Sequence, residues 1–529
     1  MARKQGALEQ LIRQRVRQHP RATWLKFRDL EFSWEEVLSN ILRTANGLID
    51  LGVRPGDRVA IMMGNRPEFL WIHHAIGFIG GVSVPVNTSQ RGVTLHHVLA
   101  DSDSSAVIFE ESLRDSVMAV KNTVASLKVT VVADGSDGNG VDSTLEWLMN
   151  HSDREPEIDV ADAAGGGSMM YTSGTTGPPK GVVASGADST ALMAVLSAIK
   201  VKPGETMYTA LPLFHGNALM ITGFGSMLLD AKFALAERFS ASRFWDECRG
   251  YDAVEFNTLG GMIPILMKQP PRSDDRKHKV RIVLSAACPP SVWKEFEDRF
   301  GVRIVEVYGM VDSPGFLMND VGKVGSMGKP VGEVEFRIVD DADNPLPPGK
   351  AGELVFRHPK GQLSHYHKLP DATADAYRGG WFHSGDLAKT DAEGFYYFCG
   401  RKKASIRRRG ENISAWEIET VVNEHPAVLE SAAYAVPSEL GEDEVKIAVV
   451  LKSEAKLRPE DLIEFCRDRM AYYAVPRYIE YVEELPKTGT QRIQYAALKA
   501  RGVAGAWDRE QAGIKVERAK KSASVSARQ

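Results

Sequence analysis

Apolar and polar positions alternate along the first part of the chain in a pattern that predicts helices and strands in turn. Residues 34–51 carry apolar side chains at helical spacing, and Ser33 with Glu36 forms a capping-box signature at their start. A second helical segment, residues 67–79, separates two apolar runs at residues 58–63 and 82–86. Helix, glycine turn and strand in this order predict a parallel sheet with crossover helices.

The texture of the sequence changes twice further along, which predicts more than one domain. At 529 residues the chain is too long for a single hydrophobic core. After a second βα series, short strands between Pro, Gly and Asp turns begin near residue 322, and an alternating α+β unit begins near residue 402. We therefore expect an α/β fold with the following units: a large N-terminal domain of parallel βαβ-type sheets (residues 1–401) that includes a small β-barrel subdomain (about 322–400), a small α+β C-terminal domain (402–505), and a disordered tail (506–529).

Composition excludes some classes of function. The chain has 65 Lys+Arg against 69 Asp+Glu, a net charge of −4, which provides no general basic field for nucleic acid. The four cysteines show neither metal-ligand spacing nor a disulfide framework. The apolar runs are too short to cross a bilayer, and the N-terminus does not resemble a signal peptide. We expect a cytoplasmic protein, without nucleic acid or stable membrane insertion, that holds any anion in a local site.

The most informative segment is residues 169–183, where a Gly- and hydroxyl-rich loop follows a short apolar strand. Its centre, residues 172–180, holds two glycines, two prolines, four hydroxyl side chains and one lysine. Hydroxyls and glycine amides donate to phosphate oxygens, and lysine adds a point charge. A polar surface turn is the alternative, and Walker A spacing is absent. The candidate phosphate ligands are Thr172, Ser173, Gly174, Thr175, Thr176, Gly177 and Lys180.

This loop resembles the phosphate loop of the adenylate-forming (ANL) superfamily, which includes acyl-CoA synthetases, peptide-synthetase adenylation domains and beetle luciferases. The resemblance extends from about residue 21 to 502, with the motifs in the family's order. It implies an acid–CoA ligase that uses ATP, Mg²⁺ and coenzyme A, forms an acyl-adenylate, and has a mobile C-terminal domain. Homodimers are frequent in such families.

Further segments are similar to the family's nucleotide-binding motifs. The resemblance implies that Tyr308 stacks on adenine and that Asp386 and Arg401 hold the ribose. Asp312 stands where the family has a metal-binding Glu, and Val311 stands where it has a hydroxyl. The residues implied around AMP are, in addition, Ala286, Ala287, Cys288, Gly309 and Met310.

The C-terminal motifs imply the domain hinge, the CoA site and a catalytic cation. Lys403 occupies the hinge position, and Arg492 aligns with the family's catalytic lysine, with Lys487 nearby as an alternative. A basic run precedes a glycine; it is either a solvated strand face or the site that meets the phosphates of CoA. The implied CoA-binding residues are Arg407, Arg408, Arg409, Gly410 and Glu411. The implied catalytic residues are Arg492, Lys403, His215, Thr176 and Lys180.

The identity of the acid is the least determined feature. Residues 410–428 and 507–514 look most like crotonobetaine/carnitine–CoA ligase-like and resin-acid-type synthetases, and we expect a medium-sized apolar, alicyclic or aromatic acid. The expected pocket residues are His215, Phe256, Gly260, Gly261, Met262, Met310, Gly315 and Phe316. Two rival functions remain: a stand-alone adenylation enzyme that loads a carrier protein, and a catalytically weakened nucleotide- or acyl-binding paralogue.

Overall fold

The largest sheet is mainly parallel and ends in antiparallel strands. The computed structural model describes residues 6–136, 138, 140–158, 167–172, 178–184, 190–259, 261–401, 405–408, 411–438, 442–486, 493 and 495–516. The sheet's strands there are β1 (Thr23–Phe27), β2 (Leu30–Ser33), β10 (Thr206–Thr209), β11 (Lys232–Leu235), β12 (Ala253–Leu259), β13 (Ile282–Ala286), β14 (Arg303–Met310), β15 (Ser313–Asn319) and β16 (Lys329–Val331). Their order is β16-β15-β14-β13-β12-β10-β11-β1-β2, and the run from β1 to β14 through β11, β10, β12 and β13 is parallel.

A second sheet carries the strands on either side of the Gly-rich loop. Its strands in the described chain are β3 (Arg58–Met62), β4 (Val82–Pro85), β5 (Ser104–Phe109), β6 (Val129–Val132), β7 (Ser143–Thr144), β8 (Gly167–Thr172), β9 (Lys180–Ala184) and β19 (Ser364–Tyr366), in the order β19-β9-β8-β4-β3-β5-β6-β7. One continuous hydrophobic core joins residues of both large sheets, including Ile61 and Phe233. The two sheets therefore form one rigid wall behind the loop.

Two helices of the large domain begin where the sequence predicts them, one after the capping box at Ser33 and one at Pro67. Ser33 accepts from the backbone N–H of Glu36, whose side chain bonds back to Ser33, so the predicted capping box is present. The helices of this domain are α1 (Ala7–Gln18), α2 (Trp34–Asp50), α3 (Pro67–Phe78), α4 (Gly92–Asp101), α5 (Arg114–Lys121), α6 (Leu145–Met149), α7 (Thr190–Ile199), α8 (Gly225–Leu228), α9 (Phe244–Gly250), α10 (Met262–Met267), α11 (Pro290–Phe300) and α12 (Pro370–Ala376). A π-helix, Asn217–Phe224, precedes α8.

The β subdomain is a four-stranded antiparallel sheet with a phenylalanine-rich core. Its strands are β17 (Glu335–Val339), β18 (Gly352–Arg357), β20 (Phe382–Thr390) and β21 (Tyr396–Arg401), in sequence order across the sheet. Phe336 and Phe356 stack with ring centroids 4.9 Å apart. The described strands therefore form an open four-stranded sheet in the region where a small barrel was expected.

The C-terminal domain joins a hairpin to a mixed sheet. Its elements are β22 (Ser405–Arg408), β23 (Glu411–Ser414), α13 (Ala415–Asn423), β24 (Val428–Pro437), β25 (Asp443–Leu451), α14 (Pro459–Arg467), β26 (Tyr478–Tyr481), α15 (Tyr495–Ala500) and β27 (Trp507–Asp508). The sheet order is β24-β25-β26-β27, and β27 pairs antiparallel with β26.

The start of the predicted tail needs correction. Residues 506–516 belong to the small domain, because β27 adds a strand to its sheet and Val516 is buried in its core. Asp508 also pairs with Arg477, at 3.2 Å. The remainder of the predicted tail, residues 517–529, lies outside the described residues. Within the described chain, no helix is both long and apolar enough to cross a membrane.

Candidate active site

The two strands that flank the Gly-rich loop place a hydroxyl opposite a lysine. β8 and β9 pair antiparallel, and Thr172 lies directly across from Lys180. Two residues of α4 contact the ends of the loop. His97 contacts the carbonyl oxygen of Pro179 at 2.8 Å, and Asp101 accepts a hydrogen bond from Tyr171 at 2.7 Å. The loop ends are thus fixed in position. The other predicted ligands, Ser173, Gly174, Thr175, Thr176 and Gly177, lie outside the described residues.

A half-buried carboxylate, that of Asp312, lies beside the ends of this loop. The hydroxyl of Tyr366 donates to Oδ2 of Asp312 at 2.8 Å, and Thr172 Oγ1 lies 3.4 Å from the same oxygen. Burial raises the pKa of Asp312, while the Tyr366 hydroxyl and the charge of Lys180 act in the opposite direction. Lys180 Nζ also lies 4.4 Å from the centre of the Tyr366 ring. Cationic and anionic side chains and two hydroxyls therefore meet at one point.

The donor set at Asp312 fits a hard cation that shares its ligands with phosphate. Mg²⁺ prefers oxygen ligands, and it is usually bound by one or two carboxylates plus substrate phosphates. Within the described residues, no cluster of three or more His, Cys, Asp or Glu could hold a metal. Asp312 would hold Mg²⁺ together with the phosphates of a nucleotide, with the hydroxyls of Thr172 and Tyr366 beside it.

Sequence reasoning missed Tyr366. This residue ends the three-residue strand β19, which is too short to show an alternating pattern. β19 reaches the site because it pairs with β9, placing Tyr366 opposite Val182. Ser364, on the same strand, donates to the backbone carbonyl of Asp312. The strand therefore orients the carboxylate, but only the long-range pairing shows this.

The predicted adenine and ribose residues lie together. The hydroxyl of Tyr308 on β14 donates to Oδ2 of Asp386 on β20 at 2.8 Å, and Asp386 is buried. Arg401 is the cross-strand partner of Asp386, which places its backbone at the same level; its side chain lies outside the described residues. A carboxylate has two acceptor oxygens, which suits a pair of ribose hydroxyls.

The small-residue loop after β13 is held by a carboxyl group. The backbone N–H groups of Ala287 and Cys288 both donate to Glu306, with Cys288 N at 3.1 Å from Oε1. Ala287 has a φ of 68°, a left-handed conformation that is rare for a non-glycine residue. Burial raises the pKa of Glu306 to about 8, although these N–H groups oppose the shift. Glu306 thus holds a strained loop next to Ala286, where the flat face of a base was expected.

His215 meets a residue of the small domain. Its Nε2 lies 3.1 Å from Oε2 of Glu411, and the His215 side chain is one-third exposed. Burial lowers the pKa of His215, but the charge and hydrogen bond of Glu411 outweigh it, so the pKa is raised. Asn87 donates to Tyr473 at 2.7 Å and lies 3.4 Å from Glu411. The β22–β23 hairpin is therefore docked at His215.

Only part of the basic run remains available to a ligand. Arg408 is 1% exposed; its Nε lies 2.8 Å from Glu444, and its Nη1 donates to the carbonyls of Tyr473 and Val475. This burial contradicts the solvated-face interpretation, and a contact between this guanidinium and CoA would require these bonds to break. Arg407 differs from it, being half-buried and close enough to Glu306 to lower the pKa of that carboxyl group. Arg409 and Gly410 lie outside the described residues.

Two of the predicted acyl-pocket residues belong to the hydrophobic core. Phe256 is fully buried, and its ring lies 4.8 Å from that of Phe244 and 5.6 Å from that of Trp245. Met262 is buried in the same core. β12 turns the side chain of Phe256 towards α9 and into this core.

The glycines predicted to leave room are occupied by neighbours. A Cβ on Gly261 would lie 2.7 Å from the Glu442 carboxylate, and one on Gly315 would lie 2.7 Å from the Phe356 ring. A Cβ on Gly309 would lie 2.6 Å from Phe316, whose ring therefore covers that strand. The space expected beside Gly261 and Gly315 is therefore absent, whereas Phe316 stays a predicted wall residue. Met310 packs against the β-subdomain core, and Gly260 lies outside the described residues.

Val311 occupies the motif position where a hydroxyl side chain was expected. Val311 is 41% exposed, and its Cγ2 would lie 3.2 Å from a Cβ on Gly216. An apolar methyl group thus replaces the expected hydroxyl next to the His215 segment. Lys403, Lys487 and Arg492 lie outside the described residues.

The fold and site define the class of protein. The family model for the AMP-binding enzyme matches residues 12–367, and that for the AMP-binding enzyme C-terminal domain matches residues 417–492. The chain belongs to the AMP-binding enzyme family. It is similar to the crotonobetaine/carnitine–CoA ligase of Salmonella choleraesuis (strain SC-B67), with 30% identity over 487 residues, 89% of this chain and 93% of the relative.

Two solved structures of one enzyme, the o-succinylbenzoate CoA synthetase from Bacillus subtilis, are also similar. The double mutant bound with the product analogue OSB-NCoA has a TM-score of 0.79 and 25% identity, covering 93% of this chain and 98% of that chain. The complex with the acyl-adenylate intermediate OSB-AMP has a TM-score of 0.64 and 25% identity, covering 92% and 97%. These comparisons confirm the predicted family and fold class.

Proposed function

We propose that this chain is an ATP-dependent acid–CoA ligase, which forms an acyl-adenylate and pyrophosphate and then acyl-CoA and AMP. The observation that carries the proposal is the convergence of Thr172, Lys180 and Asp312 at the base of the Gly-rich loop. Tyr308 and Asp386 add a place for the nucleoside in the same domain. The names of the relatives above agree with this reaction.

In the first half-reaction, a carboxylate oxygen of the acid bonds to the α-phosphorus of ATP as the bond to pyrophosphate breaks. Fixed cations aimed at the developing charge lower such a barrier. Lys180 and the loop donors would hold the phosphates, and Asp312 would hold Mg²⁺, which neutralises phosphate charge when bound. Arg492, on the family's catalytic loop, would bridge the carboxylate and the ester oxygen.

In the second half-reaction, the CoA thiol attacks the acyl carbonyl, a thioester forms and AMP leaves. The contact between Glu411 and His215 suits this step, because it brings the hairpin proposed to bind CoA to the acyl site. The higher TM-score with the product-analogue complex, 0.79 against 0.64, supports the same assignment. Arg407, Arg409, Gly410 and Glu411 remain the proposed CoA contacts.

A change of domain orientation between the two steps follows from this pose. The loop that carries Arg492 must face the nucleotide for adenylation, whereas the structure has Glu411 at His215. Both faces of the small domain cannot occupy one crevice together. We therefore propose rotation about Lys403, a motion of the kind that gates multistep enzymes. We also propose that the enzyme uses Mg²⁺, is located in the cytoplasm and forms a homodimer.

The experiment uses the purified full-length chain with MgATP and a panel of carboxylic acids. Pyrophosphate release measures the first step, and acyl-CoA formation measures the second. Lys403→Pro is expected to retain acid-dependent pyrophosphate release and to lose thioester formation, because proline restricts the hinge backbone. Equal loss of both steps would contradict the hinge. Release of pyrophosphate with acyl transfer only to a carrier protein would favour that acceptor over CoA.

A further inference from the structure

A buried asparagine, Asn257, lies on the face of β12 that meets the π-helix following His215. Asn257 on β12 is 1% exposed, and its Nδ2 donates to Oδ1 of Asn217, the first residue of the π-helix. The residue opposite Asn257 on the neighbouring strand β13 is the apolar Leu284. A buried amide in such surroundings is costly unless all of its polar atoms have partners.

One atom of the pair has no such partner. Oδ1 of Asn257 is buried and accepts no hydrogen bond from any described residue. The orientation of an amide is an assignment, yet reversing it only exchanges an unpaired acceptor for an unpaired donor. Either orientation leaves Asn257 able to bond a group that both donates and accepts, as a hydroxyl does.

The position of the pair connects it with the reacting acid. Asn217 follows His215 by two residues, is half-buried, and bonds to Asn257 in the interior. Asn257 lies near the carboxyl end of β12, where Leu259 is paired with Ala286 of the proposed adenine loop. Ligands of parallel sheets bind at this edge. An acid whose carboxyl group lies at His215 would extend its chain towards the amides.

A second polar group continues along the same strand face. Glu255 is two residues before Asn257, so its side chain points to the same side of β12. It is fully buried, and neither carboxyl oxygen has a hydrogen-bond partner among the described residues. Burial raises the pKa of Glu255 to about 8, so the group is mainly neutral near pH 7. Two buried polar side chains, each with an oxygen that has no described hydrogen-bond partner, therefore lie on this face of β12.

We infer that Asn257, positioned by Asn217, is a specificity residue that selects carboxylic acids bearing a hydroxyl group on their carbon skeleton. This inference rests on the proposed function, and it replaces the expectation of an apolar acid. A site built to hydrogen-bond a hydroxyl rejects an analogue that lacks it, because its own polar atoms are then left unpaired.

The test uses matched pairs of 5′-O-(N-acylsulfamoyl)adenosines that differ by one hydroxyl at successive positions of the acyl group. Isothermal titration of the full-length protein measures the binding ratio within each pair. For at least one position we expect the hydroxylated member to bind about 10- to 100-fold more tightly. In Asn257→Leu that ratio should fall to about 1, because the polar atoms are gone. Thr258→Val is the matched control, since Thr258 is equally buried but points to the other face of β12.

The outcomes separate this inference from the proposed function. A ratio near 1 for every pair in the wild-type protein, or a ratio that persists in Asn257→Leu, would overturn the inference while leaving adenylate binding intact. The wild-type ratio needs no variant, so a poorly folded Asn257→Leu still leaves the inference tested. If no analogue binds and MgATP does not bind either, the proposed function itself fails.

Discussion

Replacing Arg408 by alanine is expected to destabilise the small domain, although a basic run beside a glycine suggests a ligand contact. The guanidinium is enclosed: it pairs with Glu444 and donates to two backbone carbonyls, and its side chain is 2% exposed. Arg408→Ala would leave a 10% exposed carboxylate and both carbonyls without this partner. Buried polar groups stripped of their partners oppose folding.

The expected loss of unfolding free energy follows from the burial of the Arg408–Glu444 ion pair. Removing one partner of a buried ion pair costs about 3–5 kcal/mol. Arg477 Nη1 lies 3.9 Å from Glu444 and would compensate in part, so we expect a cost near the lower end, about 3 kcal/mol. For a domain of roughly 100 residues, each kcal/mol lowers the Tm by about 4–8 °C. The unfolding transition of the small domain should therefore fall by at least about 12 °C.

Differential scanning calorimetry on the full-length chain measures this shift, and the CoA dependence of thioester formation is measured below the transition. Arg407→Ala is the matched control from the same hairpin: it is half-buried and should change Tm by no more than a few degrees while raising the CoA requirement. An unchanged Tm for Arg408→Ala together with a raised KM for CoA would refute the structural role.

Three further predictions concern the reaction. Asp312→Asn should lower acid-dependent pyrophosphate release by about 100-fold or more and raise the Mg²⁺ requirement, because the anionic ligand is lost; unchanged release would remove Asp312 from the site. Glu411 raises the pKa of His215, so docking of the β22–β23 hairpin should be strongest below the ordinary histidine pKa of about 6.5 and should weaken as pH rises through the raised pKa. Fluorescence energy transfer between the two domains measures this docking. The same pH dependence in Glu411→Gln would contradict the prediction. Arg492→Ala should slow adenylation far more than the reaction of preformed acyl-AMP with CoA, and equal effects would exclude its proposed role.

Local signals in the sequence predicted much of the fold. The capping box at Ser33 and the proline at position 67 gave helices that begin where expected, because both signals act within one turn of helix. Repeated helix–glycine–strand units predicted the parallel sheets. The position of β27 was not predicted, because a two-residue strand has no pattern of its own and depends on its pairing with β26.

The site was predictable where a motif has a distinctive composition. Thr172, Lys180 and Asp312 come from such motifs and lie together in the structure, while their roles stay predictions. Arg408 and Arg407 look alike in sequence, and only the packing of β22 against Glu444 on β25 shows that Arg408 is buried while Arg407 is half-buried.

The prediction of open space beside two glycines was wrong for a similar reason. A glycine in the sequence suggests open space because it has no side chain. The space beside Gly315, however, is filled by Phe356, from a strand about 40 residues away. The amide of Asn257 gave no signal at all, because a lone asparagine in a strand has no motif. Side-chain direction on a sheet, which depends on register, decides which residues line the pocket.

The most direct test of acyl-adenylate formation is the fate of the carboxylate oxygen. An acid that supports pyrophosphate release is supplied with oxygen-18 in its carboxyl group, together with MgATP and CoA, and the AMP produced is analysed by mass spectrometry. We predict AMP that carries one heavy oxygen on its phosphate, because the carboxylate oxygen bonds to the α-phosphorus and stays there when CoA takes the acyl group. Unlabelled AMP, or label in inorganic phosphate with formation of ADP, would contradict an adenylate intermediate.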